Sequence, residues 1–125
     1  MSYFCPQCAT GSVEVVCSLE LPPDSWWDEI ALQAIACARC DFRGLAVYEE
    51  SRRGALDSEV VNHRGHWVAP ETLSAFIEGV AVCPAPGDRA CGCVNHEKWG
   101  RSDASGRWLG VPESTGEFPL RRAYP

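Results

Sequence analysis

The first signal in the chain is alternation. Over residues 12–21, SVEVVCSLEL, the side chains of Val13, Val15, Cys17, Leu19 and Leu21 fall on one side and mostly polar groups on the other, the period-two pattern of a half-buried strand. Residues 22–30, PPDSWWDEI, open with a turn. Ser25 is placed there to cap a helix whose first turn would hold Asp28 and Glu29, where acidic groups complement the helix dipole, so a short helix is expected over residues 25–31. Two further β-prone runs, residues 34–37 and 45–50, flank a pair of cysteines and read as strands joined by a tight turn. The polar stretch 51–66 predicts loop with a short strand that ends near Trp67 and Val68. The period then changes. In residues 70–81, PETLSAFIEGVA, Leu73, Phe76, Ile77 and Val80 recur at i, i+3, i+4 and i+7, and Pro70 and Glu71 suit a first turn, which predicts the clearest helix in the chain. From Cys83 onward Pro, Gly and Ser are frequent and neither period persists, so this stretch is expected to be irregular and to need a ligand or tertiary contacts to order it.

Composition adds a staple to this picture. A chain of 125 residues fits one domain with a modest core, for which a cross-link is an advantage. Eight cysteines could supply it, as disulfides in an oxidising compartment or as metal ligands in a reducing one. The opening MSYFCPQC has no basic or apolar leader character, and no apolar run approaches the roughly 18 residues of a membrane span. The expectation is therefore a cytoplasmic protein, not bound to a membrane, with thiols free to hold metal. A net charge of -6, with Lys98 the single lysine, opposes a general affinity for nucleic acid, whose phosphates need clustered Lys and Arg. The pairs Arg52-Arg53 and Arg121-Arg122 read as solvated polar ends.

The sharpest motif is at the front. Cys5-Pro6-Gln7-Cys8 and Cys37-Ala38-Arg39-Cys40 are two C-x2-C pairs separated by twenty-eight residues. Two intervening residues let both sulfurs of a pair point to one side of a tight turn, and two such turns facing each other complete a tetrahedron of thiolates, a donor set that selects zinc or a single iron. With Tyr3 and Phe4 before the first pair, and Asp41-Phe42-Arg43-Gly44 after the second, residues 1–53 resemble the zinc-ribbon group, which shares its knuckle geometry with the rubredoxins. The resemblance implies antiparallel strands around a structural ion, and no particular activity. The chain departs from the commonest pattern at Ala9 and Asp41, where a glycine often follows the knuckle cysteine. Cys17, on the apolar face of its strand, is read as a small hydrophobe.

A second cluster lies at the back. Cys83, Cys91, Cys93 and His96, in CPAPGDRACGCVNH, form C-x7-C-x-C-x2-H, and the prolines and glycines between them would let the backbone wrap an ion. A Cys91/Cys93 redox pair, an iron–sulfur cluster and unliganded thiols are the competing readings. His63 and His66 could in principle join an open zinc site with Glu71 or Glu97 as base, but no H-E-x-x-H pattern surrounds them, and they read as surface or core-edge residues. The five tryptophans read as core fillers, with an exposed aromatic surface for a partner as the alternative.

Together these readings give an α+β fold in one domain, residues 1–125: a zinc ribbon over 1–53, a connector and helix over 54–82, and a second Cys/His loop with an irregular tail over 83–125. Two zinc ions are expected, on Cys5, Cys8, Cys37 and Cys40 and on Cys83, Cys91, Cys93 and His96. The expected role is a non-catalytic protein-interaction or adaptor module with a protein partner. The alternatives are a nucleic-acid-associated ribbon using Arg39, Arg43, Arg52 and Arg53, and a metalloenzyme or thiol redox protein using the back loop.

Overall fold

The computed structural model describes residues 1–53 and 58–123; residues 54–57 of the expected connector and 124–125 of the expected tail lie outside the described residues. The strands are β1 (Ser2–Tyr3), β2 (Val13–Leu21), β3 (Glu29–Cys37), β4 (Arg43–Ser51), β5 (Val60–Trp67), β6 (Gly116–Pro119) and β7 (Arg122–Ala123), with helices α1 (Pro70–Val82) and α2 (Val94–Trp99) between β5 and β6. All pairings are antiparallel, in one seven-stranded sheet of order β6-β5-β4-β3-β2-β1-β7.

The expected α+β zinc ribbon with an irregular tail is not what forms. The chain is mostly a curled antiparallel sheet, a half-barrel with one clear helix, and residues 1–53 supply four strands of that sheet instead of a separate ribbon. The tail supplies both edges: β6 pairs with β5, β7 pairs with β1, and only Leu120 and Arg121 lie between them. The backbone N–H of Leu120 donates to the His63 carbonyl at 3.2 Å, and that of Phe4 donates to the Arg121 carbonyl at 2.9 Å, so this short strap ties one edge to the other. Curling follows from the connection. It also brings the Tyr3 ring on β1 within 5.0 Å of the His63 ring on β5, although three strands separate them in the sheet.

Residues 29–37 make no helix. They form β3, which pairs along nearly its whole length with both β4 and β2. Two ladders of backbone hydrogen bonds outweigh the capping signal around Ser25, and Asp24 acts in a turn instead: its Oδ1 accepts from the N–H groups of Trp26 at 2.8 Å and Trp27 at 2.7 Å.

The alternation in β2 is also interrupted. Val15 pairs with Ile35 and Cys17 with Ala34, leaving Val16 as the extra residue of a β-bulge. One inserted residue exchanges the faces of everything beyond it, because the side-chain period is two. Val13 therefore packs with Tyr3, Ile35, Phe42, Ala46 and Leu120 inside the curl, whereas Leu19 and Leu21 pack outside it with Ile30, Leu32, Leu45 and Val47. Of the five residues expected on one face, Val13 serves the inner core, Cys17, Leu19 and Leu21 serve the outer one, and Val15 stays exposed.

The outer core is covered by α1, which contacts β2, β3 and β4, and by α2, which contacts β2. Leu73 and Phe76 of α1 are buried as the periodicity predicts, and the Phe76 ring meets Trp99 of α2 edge-on at 5.3 Å; Ile77 sits at the margin, 37% exposed. Inside the curl, Gly65 of β5 pairs with Phe118 of β6, and the Phe118 ring lies where a Gly65 Cβ would stand. Gly65→Ala should therefore lower stability by about 1–3 kcal/mol through overpacking. Denaturant unfolding would measure it, and an unchanged midpoint would contradict this packing.

Candidate metal centres

Each core ends in a cluster of metal-ligating side chains. Cys5, Cys8, Cys37 and Cys40 converge at one end of the inner core, and Cys83, Cys91, Cys93 and His96 converge against the outer one; within each set all four donor atoms lie within 4.8 Å of one another. Both quartets expected from the sequence are thus assembled. All eight cysteines are free thiols.

The front cluster is built from two equivalent turns. The N–H of Cys5 donates to the Thr10 carbonyl at 2.8 Å, and that of Cys37 donates to the Phe42 carbonyl at 3.0 Å, closing the same loop around each pair. The Gln7 and Cys8 N–H groups point at Cys5 Sγ, the Arg39 N–H at Cys37 Sγ and the Phe42 N–H at Cys40 Sγ, each at 3.4 Å. Such donors stabilise thiolate and orient the sulfurs. The first turn needs a left-handed residue after Cys8, and Ala9 takes that conformation with φ 64° at a position where glycine would be strain-free. A Gln7 Nε2 to Asp41 Oδ1 hydrogen bond joins the two turns.

Across the cluster, Cys5 Sγ lies 3.6 Å from Cys40 Sγ and Cys8 Sγ lies 3.7 Å from Cys37 Sγ. A tetrahedron with metal–sulfur bonds of about 2.3 Å has edges of about 3.8 Å, whereas a disulfide needs about 2.0 Å. The spacing fits one ion and no disulfide. Without a cation the four sulfurs cannot all ionise. Thr10 holds Cys8 down to about 6, while Cys40, despite the Phe42 N–H, is pushed up to about 12 by burial and the neighbouring sulfurs. A bound cation removes that conflict.

The back cluster is set by two helix ends. Cys83 ends α1, Cys93 precedes α2, and His96 stands in the first turn of α2, so the helices aim three of the four donors at one point. His96 Nδ1 lies 3.4 Å from Cys83 Sγ and 3.3 Å from Cys93 Sγ, Cys93 Sγ lies 3.5 Å from Cys83 Sγ, and Cys91 Sγ completes the set at 4.0 Å from Cys83 Sγ. His96 holds Cys93 down to about 6, and burial pushes Cys83 up to about 11. His96 is only 3% exposed, with Nδ1 facing the sulfurs and Nε2 buried without a partner among the described residues. A buried imidazole turned this way is arranged as a ligand. The loop between Cys83 and Cys91, with the prolines and glycines expected to wrap an ion, is tied to β2, where the Glu20 N–H donates to the Pro86 carbonyl at 2.8 Å.

Other candidates do not join either cluster. Cys17 packs beside the outer core, where burial raises its thiol. His63 and His66 occupy β5 three residues apart and so face opposite sides: His63 Nε2 meets Gln33 Oε1 at 2.8 Å inside the curl, and His66 Nδ1 meets Ser114 Oγ at 2.9 Å outside it. They cannot share an ion, and burial pulls both below the usual imidazole range. The four arginines of the nucleic-acid alternative do not form one patch. Arg39 and Arg43 lie at one end of the nine-residue β4 and Arg52 and Arg53 beyond the other, about 30 Å apart at strand rise. Arg52 is paired with Glu29 and Glu50, and Arg53 with Asp28. Of the tryptophans, Trp99 is core, Trp67 packs on Phe42 and Phe118, and Trp26 is 60% exposed under the Arg107 guanidinium.

Sequence reasoning missed Thr10, whose Oγ1 lies 3.1 Å from Cys8 Sγ, and the Gln7–Asp41 link. It also missed α2; the buried pair His96 and Trp99, three residues apart, was the available signal. Among the described residues no helix is long and apolar enough to cross a membrane. No protein-family model matches the chain, and no curated protein or solved structure is similar to it at a significant level, so the reading rests on the geometry.

Two independent clusters predict two metal equivalents per chain in native mass spectrometry. Cys5→Ser and Cys93→Ser should each remove one and leave the other. A single ion lost in both variants would contradict separate centres.

Proposed function

We propose that both clusters hold structural zinc, that the chain folds as one unit around them, and that the protein is a non-catalytic module that binds another protein. The observation that carries this reading is that each cluster is a complete four-donor set at nearly tetrahedral spacing, four thiols in front and three thiols with an imidazole behind. Zinc with four protein ligands has no position left for a substrate or an activated water, which separates structural from catalytic sites. The redox alternative is disfavoured by the back cluster itself: Cys93 Sγ lies 3.5 Å from Cys83 Sγ, so Cys91 and Cys93 do not stand apart as a pair, and a redox pair would leave His96 and a third sulfur without a role.

Magnitudes support a structural role. Structural zinc in small domains contributes about 10–16 kcal/mol at neutral pH, against a net stability of about 5–15 kcal/mol for a typical domain. Loss of either ion is thus enough to undo the layer it holds.

Support for a protein partner comes from apolar side chains beside the ligands. Phe4 next to Cys5 is 48% exposed, Val82 next to Cys83 is 76% and Val94 next to Cys93 is 77%. Two helix ends and the front turn, each beside a proposed ion, hold these groups in solvent, where an apolar contact with a partner would bury them. The net charge of -6 and the divided arginines argue against nucleic acid as that partner.

Two measurements test the reading. In the cobalt-substituted protein, absorption should report tetrahedral thiolate coordination that added azide leaves unchanged; a spectral shift with azide would indicate an open, catalytic position. Val82→Glu with Val94→Glu should abolish capture of partner proteins by the metal-loaded chain while both ions remain bound. Retention of the same partners would contradict an interface at the back cluster.

A further inference from the structure

The covering layer on the outer face is incomplete. Beyond α1, where β4, β5 and β6 continue, the loop that carries Arg107 to Thr115 stands off the sheet and leaves a cleft of about 590 Å³, within the range of small-molecule sites. Its floor holds charged and polar side chains where a sheet face would ordinarily be apolar. Glu49, 5% exposed, accepts a hydrogen bond from Arg64 Nη2 at 3.1 Å, and Arg64 Nη1 donates to Glu117 at 3.1 Å, so one guanidinium bridges two carboxylates. His66, two residues along β5 from Arg64, lies on the same face and is 6% exposed. A buried carboxylate and a buried imidazole are costly to keep on a sheet face that elsewhere carries Leu45 and Val47, and neither touches the metal clusters.

The hydrogen bonds fix what the cleft offers. The Ser114 hydroxyl donates to the Gly116 carbonyl at 3.3 Å, so towards His66 it acts as acceptor, and His66 Nδ1 carries the proton of that 2.9 Å contact. The lone pair of the neutral ring is then on Nε2, which has no partner among the described residues. Glu49 uses Oε1 for Arg64 and has no second partner there. Trp108 stands in the wall, its Nε1 donating to the Trp99 carbonyl at 2.7 Å and its backbone N–H to Asp24 Oδ2 at 2.8 Å, which locks the ring.

Charge then selects the ligand. Glu49 and Glu117 are balanced by Arg64 and Arg107, so the cleft has no net charge to attract an ion of either sign. An incoming ion would also have to displace a pairing already made between Arg64 and its carboxylates. An uncharged molecule rich in hydroxyl or amide groups breaks no ion pair, and it can donate to His66 Nε2 and Glu49 while its ring lies against Trp108.

We propose that this cleft is a binding site for a small uncharged ring molecule rich in hydroxyl or amide groups, a sugar or a nucleoside, held by Glu49 and His66 against the Trp108 wall. The test is an NMR titration of the isotope-labelled, metal-loaded full chain with glucose and uridine as uncharged probes and acetate and ethylammonium as charged ones. At least one uncharged probe should move the His66 Nε2 resonance and the amides of residues 114–117, with the charged probes silent; which of the two responds identifies the ring. Glu49→Gln should weaken that binding about tenfold, the scale of one lost charge-assisted hydrogen bond. Should that variant lose its metal ions and fail to fold, Ser114→Ala decides, since residue 114 is exposed and its hydroxyl orients His66; a weakening of about threefold or more is expected. Silence of both uncharged probes, tighter binding of a charged one, or unchanged binding by Ser114→Ala in place of an unfolded Glu49→Gln would each overturn the proposal.

Discussion

The structure depends on one constraint: a sheet whose two faces are both apolar and must both be kept from water. The bulge at Val16 creates that situation by sending Val13 to one face and Leu19 and Leu21 to the other. Neither covering layer is large. The outer face has the thirteen-residue α1 and the six-residue α2; the inner face has only the curl of the sheet and a strap of two residues between its edges. Each layer is pinned where it is weakest. The front cluster joins the turn after β1 to the turn between β3 and β4, and the back cluster joins the end of α1 to the start of α2. In a chain of this size, ions on two four-donor sites would supply the order that a larger apolar core otherwise provides.

The same division locates the polar cleft. α1 packs on β2, β3 and β4, and the far part of β4 with the strands beyond it is overhung by the loop that carries Arg107 to Thr115. Glu49, Arg64 and His66 stand on that part of the sheet, on the face that elsewhere carries Leu45 and Val47. In the proposed reading, ions on the two clusters hold the frame, and the cleft lies on its open side.

Local chemistry was legible in the sequence and long-range pairing was not. The C-x2-C spacing picked out the four front cysteines that converge because knuckle geometry is a property of four consecutive residues, and Pro70 with the 3.6-residue period identified α1 because a helix is closed by its own hydrogen bonds. The back quartet was legible for a related reason, since its ligands lie within fourteen residues of a loop that had few apolar groups of its own. The helix expected over 25–31 failed because β3 takes its stability from β2 and β4, partners remote in sequence. The edge strands β6 and β7 escaped notice for the same reason: at four and two residues, with Pro119 in one of them, their identity comes from the strands they complete. Glu49 and Arg64 gave no periodic signal, since a charged pair on a sheet is visible only once register places the two together.

Native-state hydrogen exchange on the zinc-loaded Cys93→Ser variant tests the central claim most directly, that each face of the sheet is sealed by its own metal cluster. The account predicts that amides of α1 and α2 lose protection while those of β1, β2 and the β3–β4 turn keep theirs, with the front ion still bound. Uniform loss of protection across the sheet, or protection in α1 and α2 equal to that of the unsubstituted chain, would contradict it.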